Sequence, residues 1–187
     1  MTTEALVHSD TTSRLVGAPP EAAASFPGLV DGVRNLFATT TVAETLYAVV
    51  DLAHRGFAAD GAGLLWTTRG GAASAAASGP EARRADLLQV DCHQGPGFHA
   101  MNGRQPVISP QLRFDGRWRF WSPQAADLGL SSVLALALVD GAPFAAVTVY
   151  SKRPSFFRTD SLAPGLWFAE QASRAITAAQ QRERVCS

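Results

Sequence analysis

Two apolar runs, Ser132 to Val139 and Phe144 to Tyr150, flank the dipeptide Asp140-Gly141. Both residues of that dipeptide accept positive φ, which suits the tightest hairpins, and the runs on either side are rich in Val, Leu and Ala. This commits the chain to at least one antiparallel strand pair. A second pair is expected upstream: Gly61 to Thr67 reads as a strand, and Arg69-Gly70-Gly71 turns it into Ala72 to Ser78. Ala and Ser have helix propensity in that second segment, and the hairpin context with the Gly79-Pro80 break decides for strand.

Helices fill the rest. Behind Pro27, Leu29, Val30, Val33, Leu36 and Phe37 recur at helical spacing over Pro27 to Ala38. Thr41 and Glu44 form a capping box for a helix that carries Val42, Leu46, Val49, Val50, Ala53 and Phe57 and ends near Gly56. Pro80 opens another, with Arg83, Arg84, Asp86, Leu87 and Leu88. Thr159 or Asp160 caps a last helix with Leu162, Leu166, Ala169, Ala172, Ile176 and Ala179 on one face, continuing to near Arg184.

Between the hairpins runs a crossing that is broken repeatedly. Gly95-Pro96-Gly97 bends the backbone before Phe98 to Asn102 can form a short helix, Gly103 ends it, and Pro106 leads into the short strand Val107-Ile108. A turn over Phe114 to Pro123 then feeds a helix running to about Leu128, closed by Gly129. Two hairpins separated by such a crossing predict an α/β (α+β) domain. It has a mostly antiparallel central sheet of about five to six strands, terminal helices on one face and the crossing on the other. Short helices broken by Gly97, Gly103, Pro106, Gly116 and Pro123 cannot tile a sheet face densely, so a pocket is expected beneath them.

The order and spacing of several motifs are similar to those of the GAF domain, in the form common in actinobacterial GAF-ANTAR regulators. They run from Gly61-Ala62-Gly63-Leu64-Leu65 through Arg83-Arg84-x-Asp86, Gln94-Gly95-Pro96, Arg104-Gln105-Pro106-Val107 and Asp115-Gly116-Arg117-Trp118. Leu128-Gly129-Leu130-Ser131-Ser132 and Tyr150-Ser151-Lys152-Arg153-Pro154 complete the set. The family pattern has an acidic residue before Gly-Pro and a cysteine after it. Gln94 and Gly97 stand there instead, so no role passes to a cysteine at that place. With Ser187 following the last helix, the resemblance implies a sensory or protein-interaction module without an ANTAR domain, spanning residues 26–187 behind a flexible tail of residues 1–25.

Composition narrows the function classes. With 47% hydrophobic and 17% charged residues and a net charge of +0, the chain suits a compact domain and offers no global field for nucleic acid or a membrane surface. No apolar run approaches the roughly 18 residues of a membrane helix, and the N-terminal residues do not resemble a signal peptide. Two cysteines, Cys92 and Cys186, make no disulfide scaffold, and a cytoplasmic setting is expected. Cys92, His93 and His99 lack the paired spacing of a zinc site.

Phe98, His99, Trp118, Trp121 and Cys92 are the candidate ligand-binding residues. Two readings of the aromatics stand: walls of a pocket for a planar ligand, or filling between crossing and sheet. The expected function is non-catalytic sensing of a small molecule or a regulatory protein, in a homodimer formed by the terminal helices, and the sequence does not identify a cofactor. The alternatives are a thiol enzyme resembling the free methionine sulfoxide reductases, for which a resolving thiol near Cys92 is missing, and an interaction scaffold with a closed pocket.

Overall fold

The computed structural model describes residue 21 and residues 26–68, 70–139 and 145–186. The expected tail, apart from Glu21, lies outside the described residues, as do Arg69 of the first hairpin turn and the Asp140-Gly141 turn of the second. The helices are α1 (Pro27–Leu36), α2 (Val42–Gly56), α3 (Pro80–Cys92), α4 (Pro96–Gly103), α5 (Ser122–Asp127) and α6 (Leu162–Cys186), and the strands are β1 (Gly61–Thr68), β2 (Gly71–Ala77), β3 (Val107–Ser109), β4 (Ser132–Leu138) and β5 (Ala145–Ser151). The helix expected after the turn over Phe114 to Pro123 is α5, which ends one residue before Leu128. Asp115 caps a 3-10 turn at Gly116–Trp118 by accepting from the Arg117 amide at 3.1 Å, and Pro123 then starts α5 in its first turn.

Local chemistry accounts for the ends of α2. The Thr41 hydroxyl accepts from the Glu44 amide at 3.1 Å and the Glu44 carboxylate accepts from the Thr41 amide at 3.2 Å, so both open donors of the first turn are satisfied. The five strands form one antiparallel sheet in the order β2-β1-β5-β4-β3. Both hairpins predicted from the sequence are neighbours in it, and the two hairpins meet where β1 pairs with β5, Gly61 opposite Tyr150 and Leu65 opposite Ala146.

The pleat sorts the strand residues between two cores. Leu64, Leu134, Leu136, Val147 and Val149 face α1, α2 and α6, where they meet Leu29, Val33, Val50, Ala53, Phe57 and Phe168. On the other face Val133, Ala135 and Tyr150 meet Ala82, Ala85 and Leu88 of α3 together with Trp118, Trp121 and Leu130 of the crossing. The first face is built from large aliphatics. The second carries small residues on β1, and that is what lets α3 lie close: a methyl group on Gly61 would stand 3.2 Å from the Ala82 methyl.

Candidate functional site

The close approach of α3 to the sheet buries two of its polar side chains completely. Asp86 and Gln89, one helical turn apart on the buried face of α3, both have no exposed surface. Opposite them on β5 is Tyr150, also fully buried, whose hydroxyl donates to Asp86 Oδ1 at 2.6 Å. Gln89 Nε2 donates to the Tyr150 oxygen at 3.0 Å, and Gln89 Oε1 accepts from the backbone amide of Gly97 at 2.8 Å. A single chain of hydrogen bonds therefore ties the start of α4 through α3 to the centre of the sheet. The glycines around it leave the necessary space. A Cβ on Gly63 would stand 2.0 Å from Asp86 Oδ2, and one on Gly95, whose φ is +144°, would stand 2.4 Å from the Gln89 side chain.

Electrostatics follow from this enclosure. Burial raises the Asp86 carboxyl to a pKa of about 7, against the opposing pull of hydrogen bonds from Tyr150 and Gln89. The Ser74 hydroxyl beside the carboxyl and the Thr148 hydroxyl beside the phenol oppose the upward shifts without making a hydrogen bond of good geometry, and Oδ2 makes none either. Burial and the neighbouring Asp86 charge push the Tyr150 phenol well above its ordinary value. A carboxyl with a raised folded pKa binds its proton more tightly in the fold than in the unfolded chain. Its contribution to stability is therefore full below the unfolded value of about 4, declines as the pH rises from there to about 7, and is constant above that. Thermal unfolding should show this decline between pH 5 and pH 7.5 in the wild type, and Asp86→Asn should remove that component. Parallel pH profiles for the two proteins would contradict it.

Beyond this polar chain the sheet face turns apolar. Leu65, Ala146 and Met101 form a small cluster with Val90 and Phe98 packed against it, and outside that cluster opens a cavity of about 570 Å³. Phe98, Met101 and Val90 line it with Thr67 and the start of β2, while the exposed His93, Asn102 and Arg104 stand around it. His93 and Arg104 are the C-caps of α3 and α4, and both adopt φ of +50°, uncommon for residues with a side chain.

The five sequence-predicted residues are not brought together in one opening. Phe98 lines the cavity. Trp118 and Trp121 are 3% and 0% exposed, and the Trp121 indole donates to the Ala85 carbonyl at 2.9 Å, so both rings sit in the packed core between the crossing and α3. His99 is exposed, its ring edge-on to Trp118 at 5.9 Å. Cys92 is half-buried beside Phe120 and Gln124, with Gln124 Nε2 at 3.6 Å from its sulfur. Among the described residues no group of three His, Cys, Asp or Glu is placed to hold a metal, and no helix is long and apolar enough to cross a membrane.

The family profile described as GAF domain matches residues 39–177. The chain belongs to the GAF domain family. Solved GAF-like structures align over most of their length at low identity. The GAF domain of a phosphoenolpyruvate-protein phosphotransferase from Coxiella burnetii aligns with a TM-score of 0.68 at 14% identity, over 88% of this chain and 99% of that one. A domain of a putative two-component sensor histidine kinase from Sinorhizobium meliloti 1021 gives 0.63 at 16%, over 80% and 99%. The free methionine-R-sulfoxide reductase of Neisseria meningitidis, solved with its substrate, gives 0.68 at 15%, over 89% and 96%. No curated protein matches the chain. Within this GAF domain the buried Asp86-Tyr150-Gln89 chain is the feature that the sequence did not disclose.

Proposed function

We propose that this GAF domain is a non-catalytic sensory or regulatory module that holds a small molecule in the cavity beside Phe98 and Met101 and works as a homodimer through its terminal helices. The cavity carries this reading. It is a concave, mostly apolar opening on the crossing face, and α4 forms part of its wall, tied towards the sheet by the Gln89 side chain and by the Thr67 hydroxyl at 3.8 Å from the Met101 sulfur. A ligand that shifts α4 acts on the same sheet that α1, α2 and α6 cover from behind. Support for the dimer comes from apolar side chains left in solvent on α6, one of the terminal helices: Leu166 and Val185 are 50% and 86% exposed.

Thiol chemistry finds less support. Cys92 contacts Phe120 and Gln124 and is not among the residues lining the cavity, and Cys186 is the last residue of α6. A reductase cycle needs a nucleophilic and a resolving thiol within reach of each other. Native mass spectrometry of freshly purified protein tests the proposal in one measurement, the expected result being a dimer carrying additional small-molecule mass or accepting one from a metabolite panel. A bare monomer at micromolar concentration that binds nothing from a broad panel would overturn it.

A further inference from the structure

We infer that the Asp86-Tyr150-Gln89 chain is a proton-operated latch on α4: a neutral Asp86 keeps α4 closed on the sheet, and loss of its proton favours an opened α4 with water at the carboxylate. The latch needs no ligand in the cavity. It starts from a carboxyl enclosed without a counter-charge in contact. From β5 Asp86 meets the Tyr150 hydroxyl, from β2 the Ser74 hydroxyl, from β1 Gly63, and from its own helix Gln89, with the exposed Arg83 acting from further off. None of the described residues forms an ion pair with it. α4 reaches it only through Gln89, which donates to Tyr150 and accepts from the Gly97 amide at 2.8 Å, the first amide α4 has, since Pro96 carries none.

A buried charge without a cation is relieved when water reaches it, and water enters where the enclosure is weakest. β1 and β5 are paired on both sides, and α3 is fixed by buried Ala82, Ala85 and Leu88 and by the Trp121 indole on the Ala85 carbonyl. α4 is only 8 residues long, and its buried face is Pro96, Gly97, Ala100 and Met101, so lifting it exposes little apolar surface. Gly95, at φ +144°, and Gly103 stand at its two ends and can absorb the rotation. The cavity of about 570 Å³ already lies beside its Phe98 and Met101. The direction follows from burial. With the enclosed carboxyl raised to about 7 and a hydrated one at its ordinary value of about 4, opening becomes more favourable as the pH rises between those values and is constant above.

Amide hydrogen exchange of the full chain, followed by NMR from about pH 5 to pH 8 and corrected for the intrinsic base catalysis of exchange, tests the latch. The opening constants of the Gly97 and His99 amides should exceed those of Leu134 and Val147 in the central strands by at least about tenfold, because α4 opens without global unfolding. They should rise by close to tenfold per pH unit and level off above about 7, as one proton is lost on opening. Asp86→Asn, an uncharged isostere, should abolish that rise and leave α4 as protected as in the wild type at low pH. His93, at the end of α3, and His99, on α4, are a competing source of pH dependence, and the rise should persist in His93→Gln/His99→Gln protein. Should Asp86→Asn fail to fold, Tyr150→Phe removes a hydrogen bond that pulls the carboxyl down and should move the levelling-off to higher pH. α4 amides that exchange only as fast as those of β4 and β5 would overturn the latch. So would a flat wild-type profile, a rise that survives Asp86→Asn, one that vanishes with the two imidazoles, or a levelling-off that Tyr150→Phe leaves in place.

Discussion

Replacing Trp121 with alanine should cost about 3–5 kcal/mol of stability, and Phe98→Ala should cost visibly less. Trp121 has no exposed surface, stacks edge-on against Trp118 at 5.8 Å, and gives its indole hydrogen to the Ala85 carbonyl, so its removal leaves a large void between α3 and the crossing. Phe98 stands at a cavity that is already open on one side, and the surrounding chain loses fewer contacts when it is truncated. Urea unfolding of the two variants measures the difference directly. A Trp121→Ala loss below about 1.5 kcal/mol would mean that the ring borders space rather than filling it, and the pocket would have to be redrawn beneath the two tryptophans.

Gly63→Ala should be among the most damaging single-methyl additions in the chain, at about 3 kcal/mol. The added carbon would stand 2.0 Å from Asp86 Oδ2, and the carboxyl cannot swing aside without releasing the Tyr150 hydroxyl that it accepts from. The effect belongs to the pair and should therefore shrink in a background where the carboxyl is gone. In Asp86→Ala protein, Gly63→Ala should cost under about 1 kcal/mol, a coupling of about 2 kcal/mol. Effects that add to within about 0.5 kcal/mol would show that Gly63 is needed for some other reason than room for Asp86.

Much of the fold was legible because its signals are local. The Thr41-Glu44 box, Pro27, Pro80, Gly129 and the two hairpins each act within a few residues, and the elements stand close to where those residues put them. Within the turn that feeds α5, Asp115 caps a 3-10 turn and Pro123 stands in the first turn of the helix, so each acts on its own few residues. The site was only partly legible. Phe98 lies at the cavity as its position after Gly95-Pro96-Gly97 suggests, but whether Trp118 and Trp121 face space or filling depends on how far α3 approaches, which is set by Gly61 and Gly63 on another element. Asp86 gave no warning. It follows two arginines on a helix, an ordinary solvent-facing context, and its partner Tyr150 is 64 residues away. The usable signal was the spacing of Ala82, Ala85, Asp86 and Gln89, a face too small and too apolar to be turned to water.

The polar chain also bears on how the strands find their alignment. All seven residues of β5 are buried, as are six of seven in β4, so the usual rule that apolar side chains turn inward cannot distinguish one alignment of these strands from its neighbour a residue away. Such a slip would carry Tyr150 to the opposite face, where its hydroxyl would be enclosed by Leu and Val side chains with nothing to receive its proton, and would strand Asp86 and Gln89 on the face it left. In a sheet greasy on both sides, the two hydrogen bonds of Tyr150 discriminate between pairings that hydrophobic burial alone would score as equals.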